Sequence, residues 1–212
     1  MNAALAGLVI LVIGDSQTMN LMTNLDDQLE RAGAAVHAYA MCGSTAADWL
    51  LRGTISCGMA EQHGRSAPVV DPKPHATWNL DDLVARHHPN MIIVQLGDTM
   101  AGYGAQMERP WIDEQVHALT GKIRADDISC VWIGPTWGQE SAPYHKTVAR
   151  VTEMSQYLAA SVSPCHYIDS TAFSRPGEWA TRDGAHLAPD AYRRWAKDLA
   201  DAIVRLQGKG AS

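Results

Sequence analysis

Residues 8–16 read LVILVIGDS, and this stretch decides the fold. Its apolar run, residues 8–13, is continuous rather than alternating, as in a strand that is buried on both faces of a parallel sheet. The run breaks off at Gly14, and apolar residues with helical spacing follow over residues 18–32. The sequence therefore predicts a β–loop–α unit with Asp15 and Ser16 at the carboxyl end of the strand, the edge where α/β sheets collect ligands.

The rest of the chain repeats this alternation. Short apolar runs predict four further strands at residues 35–40, 91–96, 128–133 and 165–168. Helical spacing predicts five more helices at residues 44–51, 80–87, 110–124, 143–160 and 189–206. Because this alternation implies right-handed crossovers, we predict an α/β fold, a three-layer α/β/α sandwich with a five-stranded parallel sheet. Residues 53–77 are rich in proline and glycine and are interpreted as a long excursion from the sheet.

Length and composition fit one globular domain, which we place at residues 1–212. The net charge of -6 offers no general attraction to nucleic acid or to an anionic membrane surface. We interpret residues 3–13 as the first strand rather than as the apolar core of a signal peptide, and no stretch approaches the roughly 20 apolar residues of a membrane-spanning helix. We therefore expect neither a nucleic-acid partner nor a membrane span, and the sequence leaves the oligomeric state open.

The four cysteines allow two interpretations. Cys130 and Cys165 lie in or beside two strands that we expect to be neighbours, about 4.8 Å apart, within reach of a disulfide. Cys42 and Cys57 would then close a short loop. Two disulfides indicate a periplasmic or secreted protein, whereas four buried thiols would fit a cytoplasmic one.

Asp183 and His186 provide the carboxylate and the general base that a serine nucleophile such as Ser16 needs. A serine hydroxyl attacks efficiently only when an imidazole takes its proton, and a carboxylate fixes the tautomer of that imidazole. Ser16, His186 and Asp183 therefore predict an acyl-transferring esterase that needs no metal or organic cofactor, although Asp15 or Ser16 alone could simply cap a helix. We interpret His37, His87, His88 and His117 as surface or helix-face residues.

These motifs resemble those of the SGNH hydrolases, also called GDSL-type esterases and lipases. The Gly-Asp-Ser-Gln block ending at Gln17 matches the family's nucleophile block, and Asp183-Gly-Ala-His186 matches its Asp-x-x-His block. Gly43, after the second predicted strand, matches the glycine whose backbone N–H helps to form the oxyanion hole with that of Ser16. The resemblance implies the flavodoxin-like SGNH hydrolase fold and a two-step mechanism through an acyl-serine.

Thr99 is where the sequence departs from this family. The family usually has Gly-x-Asn-Asp after the third strand, with the asparagine donating to the oxyanion, whereas residues 97–100 read GDTM. Either the Thr99 hydroxyl or a water replaces the amide, or the oxyanion hole is weakened, since a threonine hydroxyl often prefers a local backbone acceptor. We expect Asp98 to structure the loop, because a carboxylate aimed at an oxyanion would oppose it.

Aromatic residues at the carboxyl edge of the sheet are the candidates for substrate contact. We predict that Trp137, Trp179 and Tyr103 line the substrate site, where a flat side chain could support a sugar ring. The resemblance implies small acyl groups, first of all acetyl, on carbohydrate. An O-acetyltransferase acting on a glycan and a non-catalytic carbohydrate-binding domain are the alternatives.

Overall fold

A computed structural model describes residues 4–140 and 144–209, and its centre is a seven-stranded sheet. Five strands are parallel neighbours: β2 (Ala35–Met41), β1 (Val9–Gly14), β7 (Met91–Gln95), β8 (Ser129–Ile133) and β9 (His166–Ile168). They correspond to the five strands predicted from the apolar runs. β7 is buried throughout, and β1 and β8 are buried at every position except the first, because helices cover both faces of the sheet.

The sheet is mixed and larger than predicted. The segment interpreted as an excursion forms β4 (Met59–His63) and β5 (Val69–Asp71), which extend the sheet antiparallel beyond β2. The same segment contributes β3 (Thr54–Ile55) and β6 (His75–Ala76), which pair as a small separate sheet. The prediction of a five-stranded, wholly parallel sheet is therefore wrong in this detail. These peripheral strands are short, contain polar residues and lie between turns. Their sequence therefore has no continuous apolar run from which a strand could be predicted.

Five α-helices complete the sandwich, as α1 (Ser16–Arg31), α2 (Leu80–His87), α3 (Arg109–Ala125), α4 (Val148–Ser161) and α5 (Pro189–Lys209). α1 and α5 share one hydrophobic core with one face of the sheet. Residues of α2, α3 and α4 fill the core on the other face. The predicted three layers are thus confirmed.

Two predicted helices differ from the structure. Residues 44–51 hold only a 3₁₀ turn, Ala47–Trp49. The Asp48 carboxylate there accepts from the N–H and hydroxyl of Thr45, and Gln115 takes the N–H of Ala47, so side chains replace helical bonds. α4 begins at Val148, five residues later than predicted, where the Thr147 hydroxyl caps it; Pro143 lies outside the described residues.

Both predicted disulfides are present. Cys42 bonds to Cys57 with their Cα atoms 5.5 Å apart, and Cys130 bonds to Cys165 with a separation of 4.6 Å. Such disulfides are typical of secreted and periplasmic proteins. Within residues 4–140 and 144–209, the structure has no helix with the length and apolar character that crossing a membrane requires.

Candidate active site

Ser16 is the first residue of α1, directly beyond the end of β1. Asp15 caps the helix by accepting the N–H of Gln17 at 2.8 Å. Gly14 leaves no room for a side chain: a Cβ there would lie 2.5 Å from the Gln95 carbonyl oxygen and would also collide with Thr18. The glycine allows β1 to run into α1 against β7, which presents the Ser16 hydroxyl at the carboxyl edge of the sheet.

Ser16 lies in hydrogen-bond contact with a histidine 170 residues later in the chain. Its Oγ is 2.8 Å from Nε2 of His186, and Nδ1 of His186 is 2.7 Å from Oδ2 of Asp183. The second carboxylate oxygen of Asp183 accepts the backbone N–H groups of Ala185 and His186. A turn with Gly184 at φ +90° brings the carboxylate back onto the imidazole.

These contacts fix the protonation pattern of the site. Burial raises the pKa of Asp183, but hydrogen bonds from the backbone and ring of His186 outweigh it and hold that pKa below its usual value. An ionised carboxylate can only accept, so Nδ1 of His186 carries a proton in this contact. When the imidazole is neutral, this tautomer leaves a lone pair on Nε2 to which the Ser16 hydroxyl can donate, the direction in which a general base would take its proton.

Gly43 lies beside Ser16 in the turn that follows β2. Its φ of +74° is a left-handed conformation that glycine adopts without strain. The flanking N–H groups of Cys42 and Ser44 donate to Gly58 and Met41, whereas no acceptor within the described residues takes the N–H of Gly43. The N–H of Ser16, at the start of a helix, has no intrahelical acceptor either. Two residues that line the cavity at Ser16, Ser16 itself and Gly43, thus each have a backbone N–H without an acceptor among the described residues.

Thr99 lines the same cavity, but its hydroxyl is engaged elsewhere. Oγ1 of Thr99 donates to the carbonyl oxygen of Ser44 at 2.7 Å. A hydroxyl has one hydrogen to donate, so this bond leaves none for a ligand in the cavity. The contact ties the loop after β7 to the loop that carries Gly43.

Asp98 anchors a buried polar network behind the cavity, which agrees with the loop-structuring role expected for it. Its carboxylate accepts from Nζ of Lys146 at 2.8 Å, from Tyr103 OH at 2.6 Å and from the Gln17 amide at 2.8 Å. The Lys146 side chain is fully buried. Sequence reasoning missed Lys146, because no pattern in the neighbouring residues marks it as buried or paired.

Asp15 lies close to this network. Burial, and then the negative charge of Asp98, raises the pKa of Asp15 to about 8. Its Oδ2 is buried without a hydrogen-bond partner within the described residues. Asp15 is therefore mainly a neutral acid at pH 7, so it adds little negative charge beneath Ser16.

The cavity at Ser16 has a volume of about 300 Å³. The predicted residues Ser16, His186, Gly43, Thr99 and Tyr103 line it, together with residues for which the sequence predicted no contact with substrate: Gln17, the Cys42–Cys57 disulfide, Asp98, Tyr144 and Ala185. The Tyr144 ring lies edge-on to the His186 ring, 5.7 Å between centroids.

Two predicted substrate residues lie outside the lining of this cavity. The indole N–H of Trp137 is directed at the carbonyl oxygens of Thr171 and Ser174, at 3.0 and 2.8 Å. Trp179 is only 6% exposed and packs in the core beside α5. Their indole rings are used for packing and loop anchoring, so the structure does not bring them to Ser16.

Comparison with known proteins gives the relationships of this chain. No protein-family model matches it. It is 44% identical over 212 residues to Protein BcsX of Komagataeibacter xylinus, covering 97% of this chain and 78% of that protein. A carbohydrate acetylesterase family member from Sinorhizobium meliloti has a similar structure, with a TM-score of 0.66, 17% identity, and 95% and 99% of the two chains covered. A GDSL-like lipase from Bacteroides thetaiotaomicron gives a TM-score of 0.59 at 11% identity, covering 97% and 94%. The chain therefore belongs to the family of Protein BcsX, and it has the fold of the SGNH hydrolases.

Proposed function

We propose that the protein is a serine esterase that hydrolyses small acyl esters, acetyl esters first of all, through an acyl-serine intermediate. The observation that carries this proposal is the chain of hydrogen bonds from Ser16 through His186 to Asp183, with distances of 2.8 and 2.7 Å. Each bond has the direction that general-base activation of a serine requires.

The reaction proceeds in two steps. His186 takes the Ser16 proton as Oγ attacks the ester carbonyl, and the N–H groups of Ser16 and Gly43 stabilise the tetrahedral oxyanion. Collapse of this intermediate breaks the ester bond, and His186 returns the proton to the departing alcohol. Water then attacks the acyl-serine with His186 again as base, which releases the carboxylic acid and restores the Ser16 hydroxyl.

The cavity favours a short acyl group. Its volume of about 300 Å³ must hold the acyl group and part of the alcohol, and the disulfide and two tyrosine rings narrow it. Similarity in fold to a carbohydrate acetylesterase family member supports carbohydrate as the alcohol. The two disulfides support a periplasmic or secreted location, where acylated polysaccharide would be met.

Three measurements on the purified protein test this proposal. The first is release of acetate from acetylated oligosaccharides and from 4-nitrophenyl acetate, compared with the butyrate and octanoate esters. The second is labelling by an organophosphonate, with the modified residue identified by mass spectrometry. The third is transfer of acetyl to an added oligosaccharide acceptor, which would identify an O-acetyltransferase instead.

We expect acetate release, labelling at Ser16 and a steep fall in rate with acyl length. Ser16→Ala should lower kcat by at least about 10³-fold and abolish labelling, because the nucleophile is lost. Ser129→Ala, at an exposed serine at the start of β8, is the matched control and should leave both unchanged. Absence of hydrolysis and of labelling, with binding of oligosaccharide retained, would instead establish a carbohydrate-binding domain.

A further inference from the structure

Three histidines from three elements meet near the start of β2. His37 of β2 lies directly opposite His63 of β4 in the antiparallel register, and His87 is the last residue of α2. The Nδ1 atoms of His37 and His63 are 3.1 Å apart, and the His37 and His87 rings are stacked with centroids 4.0 Å apart. One ring nitrogen from each histidine lies within 4.8 Å of the other two.

This spacing is close to that of three ligands on one ion. Zinc–nitrogen bonds of about 2.0–2.1 Å in a tetrahedral site place two ligand nitrogens roughly 3.3 Å apart. His37 and His63 already approach this separation. A shift of one ring by at most about 1.5 Å closes the remaining gap, since no separation exceeds 4.8 Å. Because the cluster is partly exposed, the rings have room for this shift and an ion has a path to them.

The surroundings prepare the imidazoles as ligands. The Tyr39 hydroxyl is 2.7 Å from Nε2 of His87. In the tautomer with its proton on Nε2, that N–H donates to the hydroxyl oxygen and the Nδ1 lone pair is available, the usual arrangement of a metal-bound histidine. Glu61 Oε2 lies 3.8 Å from His63 Nε2 and offers a negative charge beside the site.

We propose that His37, His63 and His87 bind one divalent transition-metal ion, Zn²⁺ being the probe of choice, with water completing a four-coordinate site. Three imidazoles suit zinc, copper and nickel rather than magnesium or calcium. His37 and Gly43 are six positions apart along β2 and the turn that follows it, roughly 20 Å of extended chain, so the ion lies far from Ser16. Its role is structural: it links β4 and the end of α2 to β2.

The test uses the untagged full chain, stripped of metal with a chelator. Competition with a chromophoric zinc indicator gives the affinity and stoichiometry, and the absorption spectrum of the Co²⁺ form reports coordination geometry. Thermal unfolding is followed with and without Zn²⁺. The variants are His63→Gln and His37→Gln, with His117→Gln on the exposed face of α3 as the matched control.

We expect one Zn²⁺ per chain, a dissociation constant at or below about 1 μM, and a tetrahedral Co²⁺ spectrum. At 100 times the dissociation constant, Zn²⁺ should raise the melting temperature by about 5–10 °C, because it binds the folded state. His63→Gln and His37→Gln should each weaken binding at least about 10-fold, and His117→Gln should not. Stoichiometric binding that survives both cluster variants would place the ion elsewhere and overturn the proposal, as would affinity weaker than about 1 mM. The unliganded melting temperature of each variant separates loss of metal from loss of folding.

Discussion

Replacing Thr99 with asparagine tests how this site stabilises an oxyanion. In the structure the hydroxyl hydrogen of Thr99 is donated to the Ser44 carbonyl, so in the proposed mechanism the N–H groups of Ser16 and Gly43 would stabilise the oxyanion without a side-chain donor from Thr99. An asparagine amide carries two donors, of which one can keep the bond to Ser44 while the other turns to the cavity. A single oxyanion donor contributes about 10²-fold to 10³-fold in turnover, or about 2.7–4 kcal/mol.

We expect Thr99→Asn to raise kcat for 4-nitrophenyl acetate by about 10-fold to 10²-fold, below the full value because the Ser44 carbonyl competes for the amide. Rates are normalised to active sites titrated with an organophosphonate. Thr99→Val, of nearly equal volume, is the control: kcat should stay within about 3-fold. Its free energy of unfolding should fall by about 1–3 kcal/mol, since a buried carbonyl loses its donor.

Either of two results would refute this reasoning. A loss of about 10²-fold in Thr99→Val would mean that the hydroxyl rotates to the oxyanion during the reaction and already replaces the amide. A folded Thr99→Asn protein with unchanged kcat would mean that the two backbone donors suffice, so that the hole is not weakened.

Three further predictions concern buried groups around the fold. Burial raises the pKa of Asp26 in α1 to about 8, so the folded state keeps a proton that the unfolded chain releases above its usual pKa of 3.8, and stability falls as pH rises between these values. Asp26→Asn removes this loss, which is about 1.4 kcal/mol per pH unit. In urea unfolding, the free energy of unfolding of the variant relative to wild type should therefore rise by roughly 3 kcal/mol from pH 5 to pH 7. A difference that stays constant with pH would contradict the raised pKa of Asp26. Lys146→Met leaves Asp98 as an unpaired buried charge and should cost about 3–5 kcal/mol of unfolding free energy, largely recovered in the double variant with Asp98→Asn; equal stability of the two variants would argue against the pair. Replacing Cys42 and Cys57 by serine opens a loop of 15 residues and should lower the free energy of unfolding by about 3 kcal/mol. A thiol reductant should destabilise the wild type by reducing this disulfide, an effect that the double variant lacks.

The sequence predicts the centre of this fold better than its edge. Strands buried on both faces must be apolar at nearly every position, so β1, β7 and β8 are visible as continuous runs. β4, which lies next to the edge strand β5, contains Glu61, Gln62 and His63. Its strand conformation depends on pairing with β2, so its own sequence pattern does not reveal it. The predicted helix at residues 44–51 is wrong for a related reason, because a side chain from a distant element accepts a backbone N–H of this segment.

The candidate site divides in the same way. Ser16 and the pair Asp183 and His186 belong to short local motifs, and the sequence alone suggests that they meet; their catalytic roles remain predictions. Lys146 could not be found, because its importance depends on a buried contact with Asp98 across 48 residues of chain. The histidine cluster depends on the register of two antiparallel strands, and our interpretation of His37 as a surface residue did not include that pairing.

Thr99, which stands at the usual asparagine position, and the disulfide at Cys42 both hold the loop that carries Gly43. The disulfide holds the loop of Gly43 from one side, and the bond from Thr99 to Ser44 holds it from the other. Backbone donors stabilise an oxyanion best when they are already in place and need no reorganisation as charge develops. We therefore infer that the position which usually supplies a donor supplies rigidity here. In the proposed mechanism only two backbone N–H groups stabilise the oxyanion, so fixing their positions matters more than it would with a third donor. We therefore expect Thr99→Val to lower the free energy of unfolding before it lowers kcat.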